Sequence, residues 1–192
     1  MFSQAKQSTL SSGQDRPTSR LRQIVRGAGR LMWCTVGAAT GIGLALLFVG
    51  VPRSPFLLAS LGGSAVFLFG LTRTPAAQPR ALLCGHVGSA FIGIVCFKLF
   101  GDALWVYMLA VAITLAYMLV TKTVHPPAAA NCLIMVNAHA GFASLWQPVG
   151  LGVMTLAIVA TVWSRTLPGM VRYPKNWFEK SPASIHWGAW TE

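Results

Sequence analysis

Histidine, hydroxyl and amide side chains are the groups of this sequence that could bind a polar solute. His86 lies inside a long apolar run, and His125 stands directly before Pro126-Pro127 at the start of a short one. Proline suits the first turn of a helix, whose backbone amides have no partner within the helix. The sequence therefore predicts that His125 lies at the mouth of a helix, with the free amides of residues 128–130 pointing back at it. Such an N-terminus is a site for an anion or a polar solute.

The candidate binding residues lie in the two short apolar segments, just before them, or in and beside the long run 81–100. They are Ser60, Gly62, Gly63, Ser64, Arg80, His86, His125, Pro126, Pro127, Ala128 and Asn131. Ionisable residues at membrane depth are costly and tend to line a pathway, and imidazole can titrate near neutral pH. Plainer alternatives stand beside these roles. A buried histidine can simply bond a carbonyl, Ser64 and Asn131 can simply join helices, and Arg80 can simply anchor the topology.

Other kinds of chemistry find little support in the sequence. The four acidic residues all lie outside the apolar runs, so a carboxylate proton relay or a cation site is not expected. The histidines are too scattered for a metal centre, and the four cysteines lack CxxC spacing. Sequence motifs of hydrolases, metalloproteases and nucleotide-binding loops are absent. We therefore predict no enzyme activity, no catalytic residue, no metal and no cofactor.

The composition is that of an integral membrane protein. Of the 192 residues, 54% are hydrophobic and 10% are charged. Several apolar runs reach the roughly 17–25 residues that cross a bilayer. The net charge of +11 is placed at segment ends and in the tails, which argues against a nucleic-acid partner.

Six apolar segments predict an all-α bundle with four long spans and two short, broken ones. The segments cover residues 31–51, 54–70, 81–100, 103–121, 126–138 and 142–164. The second and fifth are short, and each begins at a proline, Pro55 or Pro126. These prolines and the Gln-Pro pairs at 78–79 and 147–148 recur in matching places, which indicates two repeats, 31–100 and 102–165. Because three crossings are an odd number, the second repeat would insert upside down, as in many transporters.

Charge placement predicts the orientation. With six crossings, thirteen basic residues lie on the side of the termini and two, Arg53 and Lys98, on the other. The positive-inside rule then puts both termini in the cytoplasm. Four crossings with two re-entrant segments would give eleven against four, so charge favours six only mildly. We expect the plasma membrane, of the bacterial inner-membrane type.

The two tails flank the transmembrane domain, residues 31–165. Residues 1–30 are basic and are expected to be largely disordered. Within them, 18–30 predicts a short helix lying on anionic headgroups or, equally, a solvated tail that only sets orientation. Residues 166–192 are aromatic and basic, which predicts an interfacial anchor. Gly37, Gly41 and Gly43 form a small face that predicts a homo-oligomer.

The sequence resembles the HPP family of integral membrane proteins. His125-Pro126-Pro127 followed by three alanines is similar to the family signature. Residues 61–70, 77–80 and 85–90 are similar to its other blocks, in the family's order. Family members are described with four spanning helices, and plant and cyanobacterial members are associated with nitrite transport. The resemblance therefore implies a transporter or channel for a small monovalent anion, with nitrite as the first candidate. A structural or assembly protein and a channel for a neutral small solute remain the alternatives.

Overall fold

The computed structural model describes residues 17–50 and 56–184, and within these ranges the chain is helical, without a β-strand. Six α-helices follow one another: α1 Pro17–Val49, α2 Phe56–Ala65, α3 Pro79–Phe100, α4 Leu104–Thr121, α5 Pro126–Asn137 and α6 Leu151–Trp163. Short turns of π-helix extend α2 to Gly70 and lead into α6 from Trp146. Single 3-10 turns lie at Pro75–Ala77 and Phe142–Leu145. The predicted all-α fold is confirmed.

The predicted division into long and short helices is also confirmed. Among the described residues, four helical stretches are long and apolar enough to cross a membrane: Arg20–Val49, Pro79–Phe100, Leu104–Thr121 and Phe142–Trp163. The 12 residues of α5 rise only about 18 Å. Pro79 and Pro126 begin α3 and α5, as their fixed φ and missing N–H favour. The relation of the two halves as inverted repeats stays a prediction.

The chain passes six times between two ends of the bundle. Trp33, Phe69 and Trp163 meet at one end, whereas Val49 and Leu61 meet the start of α6 at the other. Side-chain contacts also join neighbouring helices at each end. Arg80 at the start of α3 donates to the Thr121 carbonyl at the end of α4, and His139 after α5 meets Asp102 before α4.

We call the first of these the basic end, because most of the described cations between the helices lie there. It holds the 71–78 connection, the start of α3, the end of α4, the start of α5 and the tail after α6. Lys98 lies at the opposite end, above the Phe142 ring. The first part of α1 and the tail after α6 therefore lie on one side of the bundle, whereas the number of membrane crossings stays a prediction. Which side that is stays a prediction.

Residues 18–30 are helical, as predicted, but they are part of a long helix and not a short one. α1 runs without a break from Pro17 to Val49, since the glycines at 27 and 29 do not interrupt it. Leu21, Ile24 and Val25 are all exposed on this first part of α1. The predictions for residues 1–16, for Arg53 and Pro55, and for the tryptophans at 187 and 190 fall outside the described residues.

Small residues let the helices approach closely. A Cβ on Gly37 or Gly41 would press on Phe69 and on α6, so these two glycines already serve packing within the chain. Gly43, the third residue of the predicted oligomer face, has open space around it. The homo-oligomer stays a prediction, and it would need a different surface. The closest backbone approach in the centre is that of Gly93 in α3 to Cys132 in α5.

Gly93→Ala should therefore destabilise the protein. The new Cβ would lie 2.7 Å from the Cys132 Cα and 2.9 Å from its carbonyl carbon, which are backbone atoms that cannot turn aside. Overpacking of this kind costs about 1–3 kcal/mol. Gly43→Ala is the matched control, because nothing lies within 4 Å of its Cβ. Thermal unfolding in detergent measures both. Equal midpoints for the two variants would contradict this account of the α3–α5 contact.

Candidate functional site

Four of the predicted binding residues meet in one buried polar cluster. Ser64 comes from α2, His86 from α3, His125 from the residue before α5, and Asn131 from α5 itself. The side chains of Ser64, His86 and His125 are 0% exposed, and that of Asn131 is 2% exposed. His86 is the eighth residue of α3, so it lies about 10 Å along that helix from the basic end. We call these four residues the His–Ser–His–Asn cluster.

The Ser64 hydroxyl joins the two imidazoles. Its Oγ lies 2.8 Å from Nε2 of His86 and 2.8 Å from Nε2 of His125. The ring centroids of the two histidines are 5.3 Å apart. The same Oγ lies 2.8 Å from the Ser60 carbonyl one turn earlier in α2. Three helices are therefore connected through one oxygen atom.

The outer nitrogens of the two rings have different partners. Asn131 donates from Nδ2 to Nδ1 of His86 over 2.9 Å and to the His86 carbonyl over 3.2 Å. His125 donates from Nδ1 to the Ala76 carbonyl over 2.6 Å. The 75–77 turn thus anchors the ring of His125, while α5 anchors the ring of His86.

These partners determine where the protons lie. His86 accepts at Nδ1, so its proton is on Nε2 and points to Ser64. A carbonyl can only accept, so His125 carries its proton on Nδ1. With both rings neutral, the single Ser64 proton has two possible acceptors, the Ser60 carbonyl and His125 Nε2. Either the Ser60 carbonyl or His125 Nε2 is then left without a proton from Ser64.

One additional proton would satisfy the whole cluster without moving a heavy atom. On His125 Nε2 it would point to Ser64 Oγ, and Ser64 would donate to the Ser60 carbonyl. The cost is a buried positive charge, which an apolar interior disfavours strongly. An anion beside the ring would offset that cost. Protonation of the cluster would therefore be easier with an anion beside the His125 ring than without one.

The walls of the cluster are closely packed. Pro127 lies against Gly63, where a Cβ would come 2.9 Å from the Pro127 Cβ. The Phe67 ring lies 5.3 Å from the His125 ring, centroid to centroid. The space beside the cluster is too narrow for a water molecule, and it is lined by Ser60, Leu61, His86, Asn131, Pro148, Val149 and Val153. Protein therefore encloses the cluster on this side.

The remaining predicted binding residues lie outside the His–Ser–His–Asn cluster. Gly62 lies apart, with nothing within 4 Å of a Cβ. Arg80 donates to the Thr121 carbonyl over 2.8 Å, so its guanidinium caps α4 and does not join the cluster. Pro126 opens α5, as predicted. The prediction of a free amide at Ala128 is wrong, because this N–H donates to the His125 carbonyl over 2.9 Å.

Gln78 is a buried residue that the sequence did not single out as functional. Its Nε2 donates to the Thr72 and Thr74 carbonyls over 2.9 and 3.2 Å. Its Oε1 accepts from the backbone amides of Lys175 and Asn176 over 2.9 and 3.2 Å. The Gln-Pro pair was visible in the sequence as a repeat marker. Its actual role is to bind the tail to the connection that carries Ala76.

The tail after α6 folds back over the start of α5. Ser181 pairs with Lys122 and Val124 through backbone hydrogen bonds, and its hydroxyl donates to the Val124 carbonyl over 2.7 Å. Tyr173 is 1% exposed, and this burial raises the pKa of its phenol. Trp177 and Phe178 are exposed, in keeping with an interfacial anchor. The tail therefore covers the basic end above His125.

Comparison with known proteins agrees with the motif at the start of α5. Residues 25–174 match the family described as HPP, transmembrane region. The chain belongs to the HPP family. Two relatives from Dictyostelium discoideum, both named only as transmembrane proteins, are each 34% identical. The matches cover 64% and 80% of this chain, and 42% and 56% of the relatives. The chain thus spans about half the length of these relatives, and no solved structure matches it.

Removing the Ser64 hydroxyl should destabilise the cluster. In Ser64→Ala the Nε2 proton of His86 loses its acceptor at full burial, which costs about 1–3 kcal/mol. Ser60→Ala is the matched control, because it keeps the carbonyl that Ser64 uses. Thermal unfolding of the two variants in detergent is the measurement. Equal stability of both would show that the Ser64 contacts contribute nothing.

Gln78→Ala should release the tail. The variant removes four hydrogen bonds, two of which bind the tail backbone. Limited trypsin digestion should then cut after Lys175 several times faster than in the wild type. Gln147→Ala is the control, since Gln147 also precedes a proline but is exposed. Unchanged cleavage in Gln78→Ala would mean that other contacts hold the tail.

Proposed function

We propose that this HPP-family protein transports a small monovalent anion across the membrane, together with a proton bound by the His–Ser–His–Asn cluster. The observation that carries the proposal is the buried chain of two imidazoles joined by one hydroxyl. Buried ionisable groups in a membrane protein are expensive, and they mark pathways more often than scaffolds. Nitrite is the first candidate substrate, on the resemblance to nitrite-transport-associated HPP proteins.

The charges of the described residues suit an anion. Asp102 and Glu179 are the acidic residues there, and neither lies within a helix. Asp102 is at the opposite end, 2.7 Å from His139, and Glu179 lies in the tail, where the cations outnumber it. An anion approaching from the basic end therefore meets cations first and the protonated cluster next. This electrostatic order favours association of anions over cations.

Transport requires the closed structure to open. The two short helices, α2 and α5, carry Ser64, His125 and Asn131, and the tail lies over the start of α5. Separation of α2 from α5 at the Gly63–Pro127 contact would expose the cluster. Broken helices at the centre of a transporter bind substrate in this way. By the positive-inside rule, the basic end faces the cytoplasm.

The second candidate is a structural membrane protein without a permeation path. The packing around the cluster favours it, because no space for a water molecule lies beside His86 and Asn131. In that case the cluster only joins α2, α3 and α5. Flux measurements distinguish the two functions.

The test is uptake into proteoliposomes that contain the purified full chain. Nitrite, nitrate, formate and chloride are compared with urea as a neutral solute, between about pH 5 and pH 8. We expect nitrite uptake to rise as the pH falls, because protonation of the cluster creates the charge that attracts the anion. Urea flux without anion flux would instead indicate a neutral-solute channel. Absence of any flux above empty liposomes would remove the transport function.

Variants of His125 test the proton coupling. His125→Ala should abolish the pH dependence, and His125→Gln should keep part of the flux without any titration. His139→Gln is the matched control, since His139 is exposed and lies at the opposite end. Uptake is expressed per folded molecule, so that a loss of folding is not mistaken for a loss of transport. Wild-type pH dependence in folded His125→Gln would assign His125 a structural role.

A further inference from the structure

A cationic cleft opens at the basic end, separate from the His–Ser–His–Asn cluster. Three distant parts of the chain form it: α1 at Arg30, the connection after α2 at Arg73, and the tail at Arg172 and Lys175. It consists of two cavities of about 560 Å³ and 420 Å³. Both cavities are lined by Arg73 and by residues 169–171, so they are joined.

The cations of this cleft have no counterion within residues 17–50 and 56–184. Among the residues that the structure describes, none of the four side chains makes a hydrogen bond or an ion pair, and no acidic residue lines the cleft. The one described ion pair, His139 with Asp102, lies at the opposite end. Four like charges that converge on one cleft repel each other and raise the local potential. An anion bound among them would relieve this repulsion.

The cleft is apolar on its inner side. Cys34, Phe69, Met170 and Val171 line its floor and continue into a narrow crevice beside Trp33. The ring of Trp33 stacks on that of Trp163, with centroids 4.6 Å apart. The buried Nε1–H of Trp33 has no acceptor among the described residues. Trp163 is the last residue of α6, and tryptophan at a helix end is typical of the level where headgroups meet hydrocarbon.

We propose that this cleft binds the phosphate headgroup of an anionic phospholipid, with an acyl chain along the apolar floor. A free phosphate ion would satisfy the cations alone. A lipid would satisfy the cations and cover the floor at the same time, and it is supplied by the bilayer at this level. The lipid would connect α1, the connection after α2 and the tail, which otherwise repel each other through their charges.

The test is lipid binding by the purified full chain in detergent. Phosphatidylglycerol, phosphatidylcholine and inorganic phosphate are titrated, with the melting temperature and the lipid retained in native mass spectrometry as readouts. We expect phosphatidylglycerol to raise the melting temperature and to remain bound, and the other two to have much weaker effects. If inorganic phosphate stabilises as well as the lipid does, the ligand is a free anion and the lipid proposal is overturned.

Matched charge variants locate the site. Arg73→Gln/Arg172→Gln removes two cations of the cleft, and Arg20→Gln/Arg22→Gln removes two exposed cations elsewhere on α1. The first pair should weaken phosphatidylglycerol binding by about tenfold or more, because two cations beside the headgroup are lost. The second pair should change binding little, because Arg20 and Arg22 do not line the cleft. An equal loss of phosphatidylglycerol binding in both double variants would indicate a general attraction between the basic protein and the anionic lipid, and it would overturn the proposed site.

A measurement on the wild type guards against a variant that does not fold. Photoactivatable phosphatidylglycerol in native-like nanodiscs should label residues 30–34 and 169–175 preferentially. Labelling spread evenly over the membrane-facing helices would overturn the proposal. Neither result depends on transport activity, so this proposal stands or falls separately from the proposed function.

Discussion

The hydrogen-bonding capacity of one hydroxyl, that of Ser64, sets the arrangement of the centre. In an apolar interior a polar atom without a partner costs more free energy than most packing contacts return. Ser64 has one proton and two lone pairs, and it meets two imidazoles and a carbonyl. Since these partners belong to α2, α3 and the start of α5, the three helices must approach closely. Small residues at the crossings, such as Gly63 and Gly93, make that approach possible.

The cost of unpaired polar groups also divides the helices into an outer and an inner group. The long helices satisfy their own backbone and can face lipid along their whole length, and α4 exposes leucine and methionine side chains in this way. The short helix α5 packs between α2, α3 and α4. Protein contacts satisfy the start of α5: the His125 carbonyl accepts from Ala128, and the tail binds the residues just before His125. Broken helices are tolerated where protein surrounds them, and here that place holds the polar cluster.

The tail joins the two sites that we propose. Its backbone bonds to Gln78 and to residues 122–124 cover the end of the bundle nearest to His125. Its cations at 172 and 175 form one wall of the cationic cleft. A phosphate bound in the cleft would hold the tail in place, and a displaced tail would uncover the start of α5. Under the two proposals, the lipid headgroup in the cleft would influence access to the cluster through the tail.

Hydropathy and the lengths of the apolar runs determined the membrane class and the four long and two short helices, because in lipid each helix must satisfy its own backbone. Proline placement determined the start of α5. The residue types of the cluster were also readable, since imidazole and amide side chains stand out in apolar runs. The hydrogen-bond partners of these side chains could not be read from the sequence, because 22 and 61 residues separate Ser64 from the two histidines. Only the packing of the helices decides which of their faces come into contact. Tertiary structure likewise places Arg80 and Gly62 outside the cluster and gives Gln78 its contacts with the tail. Ala128 shows the local limit of such reasoning: an amide that appears free in the sequence bonds the nearest carbonyl, which here belongs to His125.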